Sequence, residues 1–111
     1  MINMGIKEKR MLLTQCVALL INRMTESGFK PCLGRDGLKH MKNSLHYDGL
    51  AVDIDLYDKD GNYLSDTEAH RDFGMYWEGL HELCFWGGDG IKGDGLKHDG
   101  NHYSITDGGR K

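Results

Sequence analysis

The sequence has 111 residues, of which 39% are hydrophobic and 28% are charged, a balance typical of a soluble globular protein rather than a disordered chain. Its formal net charge is −3 and its basic residues are scattered, so we expect no nucleic-acid partner. The three cysteines are widely spaced, which argues against a disulfide-stapled domain and favours buried thiols. This length predicts a single domain over residues 1–111.

The sequence contains no predicted export signal and no predicted membrane anchor. The apolar stretch at residues 11–20 is interrupted by Thr14 and Gln15, and it is too short to span a bilayer. No small-residue cleavage site follows it. We therefore expect a protein that is made in the cytoplasm without a signal peptide and does not insert into a membrane.

The first predicted element is a helix over residues 7–27, and Gly28 stands where a helix C-terminal cap belongs. The apolar positions at helical spacing are Leu13, Val17, Leu20 and Met24. Residues 29–33 predict a short edge strand, because Pro31 cannot donate to a central ladder. Residues 34–45 are predicted to form a loop that contains at most one helical turn.

The next predicted element is a strand over residues 50–56, whose apolar residues alternate with small or acidic ones. The apolar set should face the core, which leaves Asp53 and Asp55 together on the wetter face. A turn signal follows at residues 58–62. The acidic residues between positions 55 and 60 also allow a weak cation-binding site, although the final Glu of a calcium-binding loop is missing.

A second helix is predicted to open with a capping box at residues 65–68 and to run to about Leu83. Its apolar stripe is Phe73, Trp77, Leu80 and Cys84. From residue 85 onward we expect a Gly-rich loop, ending in a short strand at residues 102–105. Trp86 in this loop either lines a cleft or belongs to the core. The elements together predict an α+β fold, with two helices packed on a small, mainly antiparallel sheet.

The sharpest chemical feature is a histidine, His46, in a loop that precedes Asp53 on the predicted strand. The small residues Gly49 and Ala51 lie between them and clear space. This arrangement allows the imidazole to fold back toward the carboxylate. One nitrogen and one oxygen ligand would then converge on a point.

A second feature lies near the C-terminus, where a Gly-Asn pair separates Asp99 from His102. Gly-Asn is turn chemistry, so a bend can let both side chains face one point, whereas a straight strand would separate them. His102 would complete a His46, Asp53 and His102 set. Three protein ligands and one open position are expected of catalytic zinc, and Asp99 would remain as the general base.

Two other residues near these motifs are possible participants in the site. His98 lies four residues before His102 and would be a rival ligand on a helix, but the Gly-Asn pair disfavours a helix there. Ser44 lies close to His46, yet no third orienting group indicates a nucleophile, so a hydrogen-bonding support is favoured. The remaining histidines, expected on solvated faces or helix surfaces, are His40, His70 and His81.

These motifs together resemble those of a known family. Residues 44–53 match the pattern S-x-H-x-x-G-x-A-x-D, residues 86–89 read W-G-G-D, and residues 99–103 read D-x-x-H-Y. In this order they resemble the D-alanyl-D-alanine carboxypeptidase and VanY-like zinc peptidases, and most closely small phage endolysins with L-alanyl-D-glutamate endopeptidase activity. The resemblance extends over nearly the whole chain and implies a Hedgehog/DD-peptidase-like α+β fold.

The resemblance also implies roles for individual residues. His46, Asp53 and His102 would bind Zn²⁺, and Asp99 would be the general base. Arg35, which lies upstream of the first motif, would polarise the scissile carbonyl.

The implied substrate is the stem peptide of peptidoglycan, cut at the L-Ala–D-Glu bond. We expect the protein to be a monomer. Such an enzyme would leave the host cytoplasm by release and act on the cell wall in the periplasm or outside. A D,D-carboxypeptidase on the same scaffold remains an alternative. So do a non-catalytic wall-binding or virion module and a domain in which zinc only stabilises the fold.

Overall fold

The computed structural model describes residues 4–34, 44–93 and 99–111. Its helices and strands in chain order are α1 (Ile6–Glu26), β1 (Lys30–Leu33), β2 (Ala51–Tyr57), β3 (Tyr63–Leu64), a 3-10 turn (Thr67–His70), α2 (Arg71–Leu80), β4 (Cys84–Trp86) and β5 (His102–Ile105). The strands form a five-stranded sheet in which the described pairings are all antiparallel. The prediction of an α+β fold with two helices and a small antiparallel sheet is therefore confirmed.

Strand β2 is the centre of the sheet and is paired along both of its edges. One edge pairs with β1. The other edge pairs with β5 at residues 51–53 and with β3 at residues 56–57, and β4 adds to the far side of β5. Because β3 and β5 share one edge of β2, the sheet has a notch between them. Ile54 donates its amide across this notch to the carbonyl oxygen of Asn101 (2.9 Å).

The helices cover one face of the sheet and bury the apolar core against it. From α1 the core takes Leu13, Cys16, Leu20 and Met24, and from α2 it takes Phe73 and Trp77. The sheet contributes Ile54, Leu56, Cys84, Trp86, Tyr103 and Ile105. Burial of these side chains supplies the main driving force for folding, at roughly 1.5–3 kcal/mol for each large one.

The first and last elements of the chain agree closely with the predictions from the sequence. Helix α1 begins and ends one residue before the predicted 7–27, and Gly28 takes the positive φ of 94° that a helix-terminating glycine supplies. Strand β5 has the predicted bounds, and β1 and β2 differ from prediction by one residue.

The middle of the chain contains three corrections. The second helix ends at Leu80 rather than near Leu83, and Cys84, Phe85 and Trp86 form β4 instead of a helix end and a loop. These three residues pair with β5 and are all buried, so tertiary pairing overrides the helical spacing of Cys84. The capping box is absent, because the helical segment starts as a 3-10 turn whose N-cap, Asp66, makes no side-chain cap bond.

The cysteines are free thiols, as the sequence predicts, but only two of them are buried. Cys16 and Cys84 face each other in the core with their sulfur atoms 3.8 Å apart, whereas Cys32 is exposed on β1. None of the described helices combines the length and apolar character that crossing a bilayer requires.

Candidate metal centre

Three side chains converge at one end of the sheet, from the loop before β2, from β2 itself and from the start of β5. His46 Nε2 lies 3.2 Å from Asp53 Oδ1 and 3.3 Å from His102 Nδ1. His102 Nδ1 lies 3.9 Å from the same Asp53 oxygen. One ligand atom from each residue lies within 4.8 Å of the other two, so this group could hold a metal ion.

Two of these residues meet because of the strand register. Asp53 and His102 are direct partners in the antiparallel pairing of β2 with β5. Directly opposed residues project from the same face with their Cβ atoms about 4.5–5.5 Å apart. The register therefore places the carboxylate and the imidazole side by side without help from a loop.

His46 reaches the same point from a short run of turns that leads into β2. Its amide donates to Ser44 Oγ (3.1 Å), so Ser44 acts as the hydrogen-bonding support that the sequence favoured. The Gly49 amide donates to the His46 carbonyl oxygen (3.1 Å), and Gly49 has a φ of 72°, which a residue with a side chain adopts rarely. Leu45 and Leu50 are buried beside this turn and anchor it to the sheet.

The segment from Asp99 to His102 forms the predicted bend, and hydrogen bonds hold it from several sides. His102 donates its amide to the Asp99 carbonyl oxygen (3.2 Å), which closes the turn. The Trp86 indole donates to the Gly100 carbonyl oxygen (2.6 Å), and the Ile54 amide donates to that of Asn101. The bend is therefore fixed by the core and the central strand together.

Asp99 lies close enough to the cluster to interact electrostatically with its three members. Burial raises the pKa of the Asp99 carboxyl, and the negative charge of Asp53 raises it further, while His102 and His46 act in the opposite direction. The charge of this carboxylate is therefore coupled to the charges of the three side chains.

Two glycines let backbone approach the cluster closely. A Cβ atom on Gly87 would lie 2.5 Å from the Asp99 carbonyl oxygen and 2.8 Å from His102 Cβ. A Cβ atom on Gly34 would lie 2.9 Å from Asp53 Cβ, and the Gly34 amide donates to the Asp53 carbonyl oxygen (2.7 Å). The first glycine of the W-G-G-D motif is thus required by packing against the 99–102 turn.

The tryptophan of the same motif belongs to the core and does not line a cleft. Trp86 has no solvent exposure, and a Cβ atom on Gly74 or on Gly88 would collide with its ring. Its amide donates to the buried carboxylate of Glu78 (3.1 Å), which also accepts the amide of Lys92 (3.3 Å). The sequence does not predict a role for Glu78, because nothing about its place in the predicted helix indicates that the side chain is buried.

The prediction that His70 lies on a solvated face or helix surface is wrong, because its side chain is buried. It retains 3% of its exposure, and its Nδ1 lies 2.8 Å from the Tyr103 hydroxyl. Burial lowers the pKa of His70 to about 4, whereas the negative charge of Asp55 acts to raise this pKa. Its spacing before Phe73 and Trp77 continues the apolar stripe of α2, and this periodicity was the signal of burial.

Several sequence candidates have other outcomes. Arg35, His40 and His98 lie outside the described residues. His81 is half-buried just after α2, where its Nδ1 accepts the Leu83 amide (3.0 Å). In the 58–62 turn, the Asp58 carboxylate accepts the amides of two later residues of the turn, as expected of tight-turn chemistry.

Neither a scan against protein-family models nor a search of the curated proteins gives a match to this sequence.

Proposed function

We propose that this protein is a zinc-dependent peptidase that hydrolyses the stem peptide of peptidoglycan at the L-Ala–D-Glu bond. The observation that carries the proposal is the meeting of His46, Asp53 and His102, with the Asp99 carboxylate beside them. The order of the three sequence motifs, which resembles that of VanY-like peptidases, supports the choice of substrate.

The donor set and its spacing favour zinc. Imidazole and carboxylate ligands suit this ion, and ligand atoms about 2.0–2.2 Å from a tetrahedral centre are separated by roughly 3.3–3.6 Å. Of the observed separations of 3.2, 3.3 and 3.9 Å, one lies in that range and the other two lie within about 0.3 Å of it. Small side-chain rotations are enough to bring the three groups onto one ion.

Three protein ligands leave a fourth position for water or substrate, which distinguishes a catalytic from a structural zinc site. Zinc bound here would acidify a water molecule and polarise the scissile carbonyl. Asp99 would accept the proton from the attacking water and deliver it to the departing amine. The hydrogen bonds around the 99–102 turn fix the backbone that carries this carboxylate.

Arg35 is proposed to stabilise the negative charge that develops on the scissile carbonyl oxygen. It follows Gly34 directly in the chain, and Gly34 packs against Asp53. The enzyme is further proposed to work as a monomer on the wall outside the cytoplasm, after release from the cell that made it.

The central test separates ligand from base. Metal content is measured by plasma mass spectrometry, and lysis is measured as loss of turbidity of permeabilised bacteria. His46→Ala should lose both metal and lysis, whereas Asp99→Ala should keep the metal and lose lysis. Asp72→Ala, which removes an exposed acid from α2, should change neither. Full lysis by Asp99→Ala, or undiminished lysis in excess chelator, would reject the proposed chemistry.

The bond that is cut is identified from the products. Purified cell wall is digested, and the newly formed amino terminus is determined by mass spectrometry. A new D-Glu terminus supports the L-Ala–D-Glu endopeptidase. Release of D-Ala instead indicates a D,D-carboxypeptidase, and binding to the wall without any new terminus indicates a non-catalytic module.

A further inference from the structure

The chain forms a tight hairpin turn at residues 107–110. Asp107 and Arg110 are a directly opposed pair, and each donates its amide to the carbonyl oxygen of the other (3.0 and 2.9 Å). Between them, Gly108 and Gly109 have φ angles of 55° and 86°. A type I′ hairpin turn requires positive φ at both central positions, and Gly-Gly is one of its favoured sequences. The sequence D-G-G-R therefore fixes the backbone of Arg110.

Ion pairs attach this hairpin turn to the first helix. Arg110 donates through Nη2 to Asp107 Oδ2, and Lys9 on α1 donates to the other oxygen of that carboxylate, Oδ1 (2.7 Å). The hydrogen bonds from Lys9 and then from Arg110 lower the pKa of the Asp107 carboxyl, so this group remains ionised near pH 7. The hairpin turn and α1 are therefore held together by charge-assisted hydrogen bonds.

Arg110 also reaches the turn that carries His46. Its Nη1 donates to Asp48 Oδ2 (2.7 Å), and the Arg110 and Asp48 side chains retain only about a third of their exposure (32% and 34%). Asp48 lies between His46 and Gly49, whose backbone hydrogen bond closes the turn. Arg110 therefore joins two carboxylates, one in the hairpin turn and one in the His46 turn, through two different nitrogen atoms.

The place of Arg110 in this network makes its contact with Asp48 stronger than an isolated surface ion pair. Such a pair contributes little by itself, because two flexible side chains must be ordered and water screens their attraction. The guanidinium of Arg110 is already held by Asp107, and its backbone is fixed by the hairpin turn. Less conformational entropy therefore remains to be lost when Arg110 binds Asp48.

Helix α1 contacts the His46 turn directly as well. A Cβ atom on Gly49 would lie 3.0 Å from Arg10 Nε, and Arg10 follows Lys9, which binds the hairpin turn. The register of β2 and β5 fixes the other two candidate ligands but not His46, which lies in a loop. The place of the His46 imidazole in the cluster therefore depends on the contacts that hold its turn.

We propose that Arg110 is a positioning residue for His46 and that it acts through Asp48. The ion pair holds the turn in the place from which the imidazole reaches the other two candidate ligands. This inference rests on the metal-binding part of the proposed function, and it does not depend on which bond is cut. It predicts that breaking the Arg110–Asp48 pair lowers zinc affinity although neither residue is among the three candidate ligands.

The first measurement is the zinc affinity of the full-length chain, determined by competition with a chromophoric chelator. Arg110→Gln and Asp48→Asn should each lower the affinity by about three- to fivefold. The double variant should bind zinc about as well as Arg110→Gln alone, because both changes remove the same contact. Arg110→Lys should retain part of the affinity, since an ammonium group can still bind one carboxylate. Additive losses in the double variant, or full affinity in either single variant, would overturn the proposal.

Hydrogen exchange of the metal-free protein separates positioning from a general loss of stability. The Gly49 amide, which donates to the His46 carbonyl oxygen, should exchange about three- to fivefold faster in Arg110→Gln than in the unmodified protein. The Ile54 amide, which donates across the notch in the sheet, should keep its rate. Equal acceleration of the two amides would show that the ion pair stabilises the whole fold and would refute the positioning role.

Glu68→Gln is the matched control. It removes a comparable ion pair, between Glu68 and Arg71 (2.7 Å), from the 3-10 turn and the start of α2. This variant should change neither zinc affinity nor the exchange of the Gly49 amide. Losses as large as those in Arg110→Gln would show that the effect is common to surface ion pairs and is not specific to the His46 turn.

The measurement on the metal-free protein also keeps the two proposals apart. If the unmodified protein binds no zinc but the Gly49 amide exchanges faster in Arg110→Gln, the peptidase proposal fails and the positioning of His46 stands. If the unmodified protein binds zinc and lyses cells while Arg110→Gln matches it in affinity and exchange, the positioning role fails and the peptidase stands. Lower zinc affinity together with faster Gly49 exchange supports the positioning role.

Discussion

The indole of Trp86 and the carbonyl oxygen of Gly100 are joined by a 2.6 Å hydrogen bond inside the core. Gly100 lies in the bend between Asp99 and His102, so this bond connects the fully buried end of β4 to the segment that carries one proposed ligand and the proposed base. Trp86 and Gly87, the first two residues of the W-G-G-D motif, therefore contact the 99–102 turn from the core side, and both are buried.

Replacing this indole should weaken the metal site as well as the fold. Trp86→Phe removes the donor to Gly100 and leaves a small void, which should lower the free energy of unfolding by about 2–4 kcal/mol. Zinc affinity, measured by competition with a chromophoric chelator, should fall because the 99–102 turn loses a restraint. Trp77→Phe is the matched control, since its indole bonds to Phe85 and Ser104 instead. Equal zinc affinities for the two variants would contradict this role of Trp86.

A methyl group on Gly87 should disturb the same turn more selectively. In Gly87→Ala the new Cβ would lie 2.5 Å from the Asp99 carbonyl oxygen, so the turn that carries His102 must move. We expect zinc affinity to fall by about tenfold or more, which corresponds to about 1.4 kcal/mol. Gly79→Ala offers the comparison, because nothing lies within 4 Å of its Cβ and alanine favours a helix. Unchanged zinc binding in Gly87→Ala would show that the turn tolerates displacement.

Metal binding should stabilise the folded chain, because the unfolded chain does not gather the three ligands. At a free zinc concentration of about 100 times Kd, the expected gain is about 2.7 kcal/mol, or roughly 10 °C or more in Tm for a domain of this size. Differential scanning calorimetry with and without zinc measures it. His102→Ala should lose the increase, whereas His81→Gln should keep it. An increase that survives in His102→Ala would place the bound metal elsewhere.

The buried His70 predicts a specific pH dependence of stability. Its pKa in the folded state is about 4, below the ordinary value of 6.5, so the unfolded chain binds a proton first as the pH falls. Stability should therefore be complete above about pH 6.5 and decline down to about pH 4, by up to about 3 kcal/mol from this residue. Urea unfolding of the metal-free protein across this range, compared with His70→Gln, isolates the contribution because both proteins retain the other titrating groups. Parallel curves for the two proteins would rule it out.

The parts of the fold that the sequence predicts well are those governed by local periodicity. Helix α1 and strand β5 follow their apolar spacing closely, and β2 follows its alternation of apolar and acidic residues. Strand β4 was missed because a run of three buried residues has no alternation, and Cys84 happens to fall at helical spacing from Trp77. Only its pairing with β5, a contact between distant segments, makes it a strand.

The features of the candidate site also differ in how well the sequence predicts them. The bend at 99–102 and the support of His46 by Ser44 depend on neighbouring residues and could be predicted. The register that pairs Asp53 with His102 could not, since it depends on how two separate strands align. The burial of His70 differs again, since a polar side chain ordinarily indicates a surface position, whereas His70 extends the buried stripe of α2.

The wide sequence spacing of the three candidate metal ligands has a consequence for how the chain folds. His46 and Asp53 lie close together in the sequence, but His102 is 56 residues from His46, so the full set exists only after β5 has docked against β2. Docking of such distant segments is among the slower events in folding, because a long loop must close first. Tight zinc binding should thus coincide with completion of the sheet. If cobalt replaces zinc, its optical signal should report the time of that last folding step. A metal ion that binds between these three side chains would therefore be gained only at the end of folding.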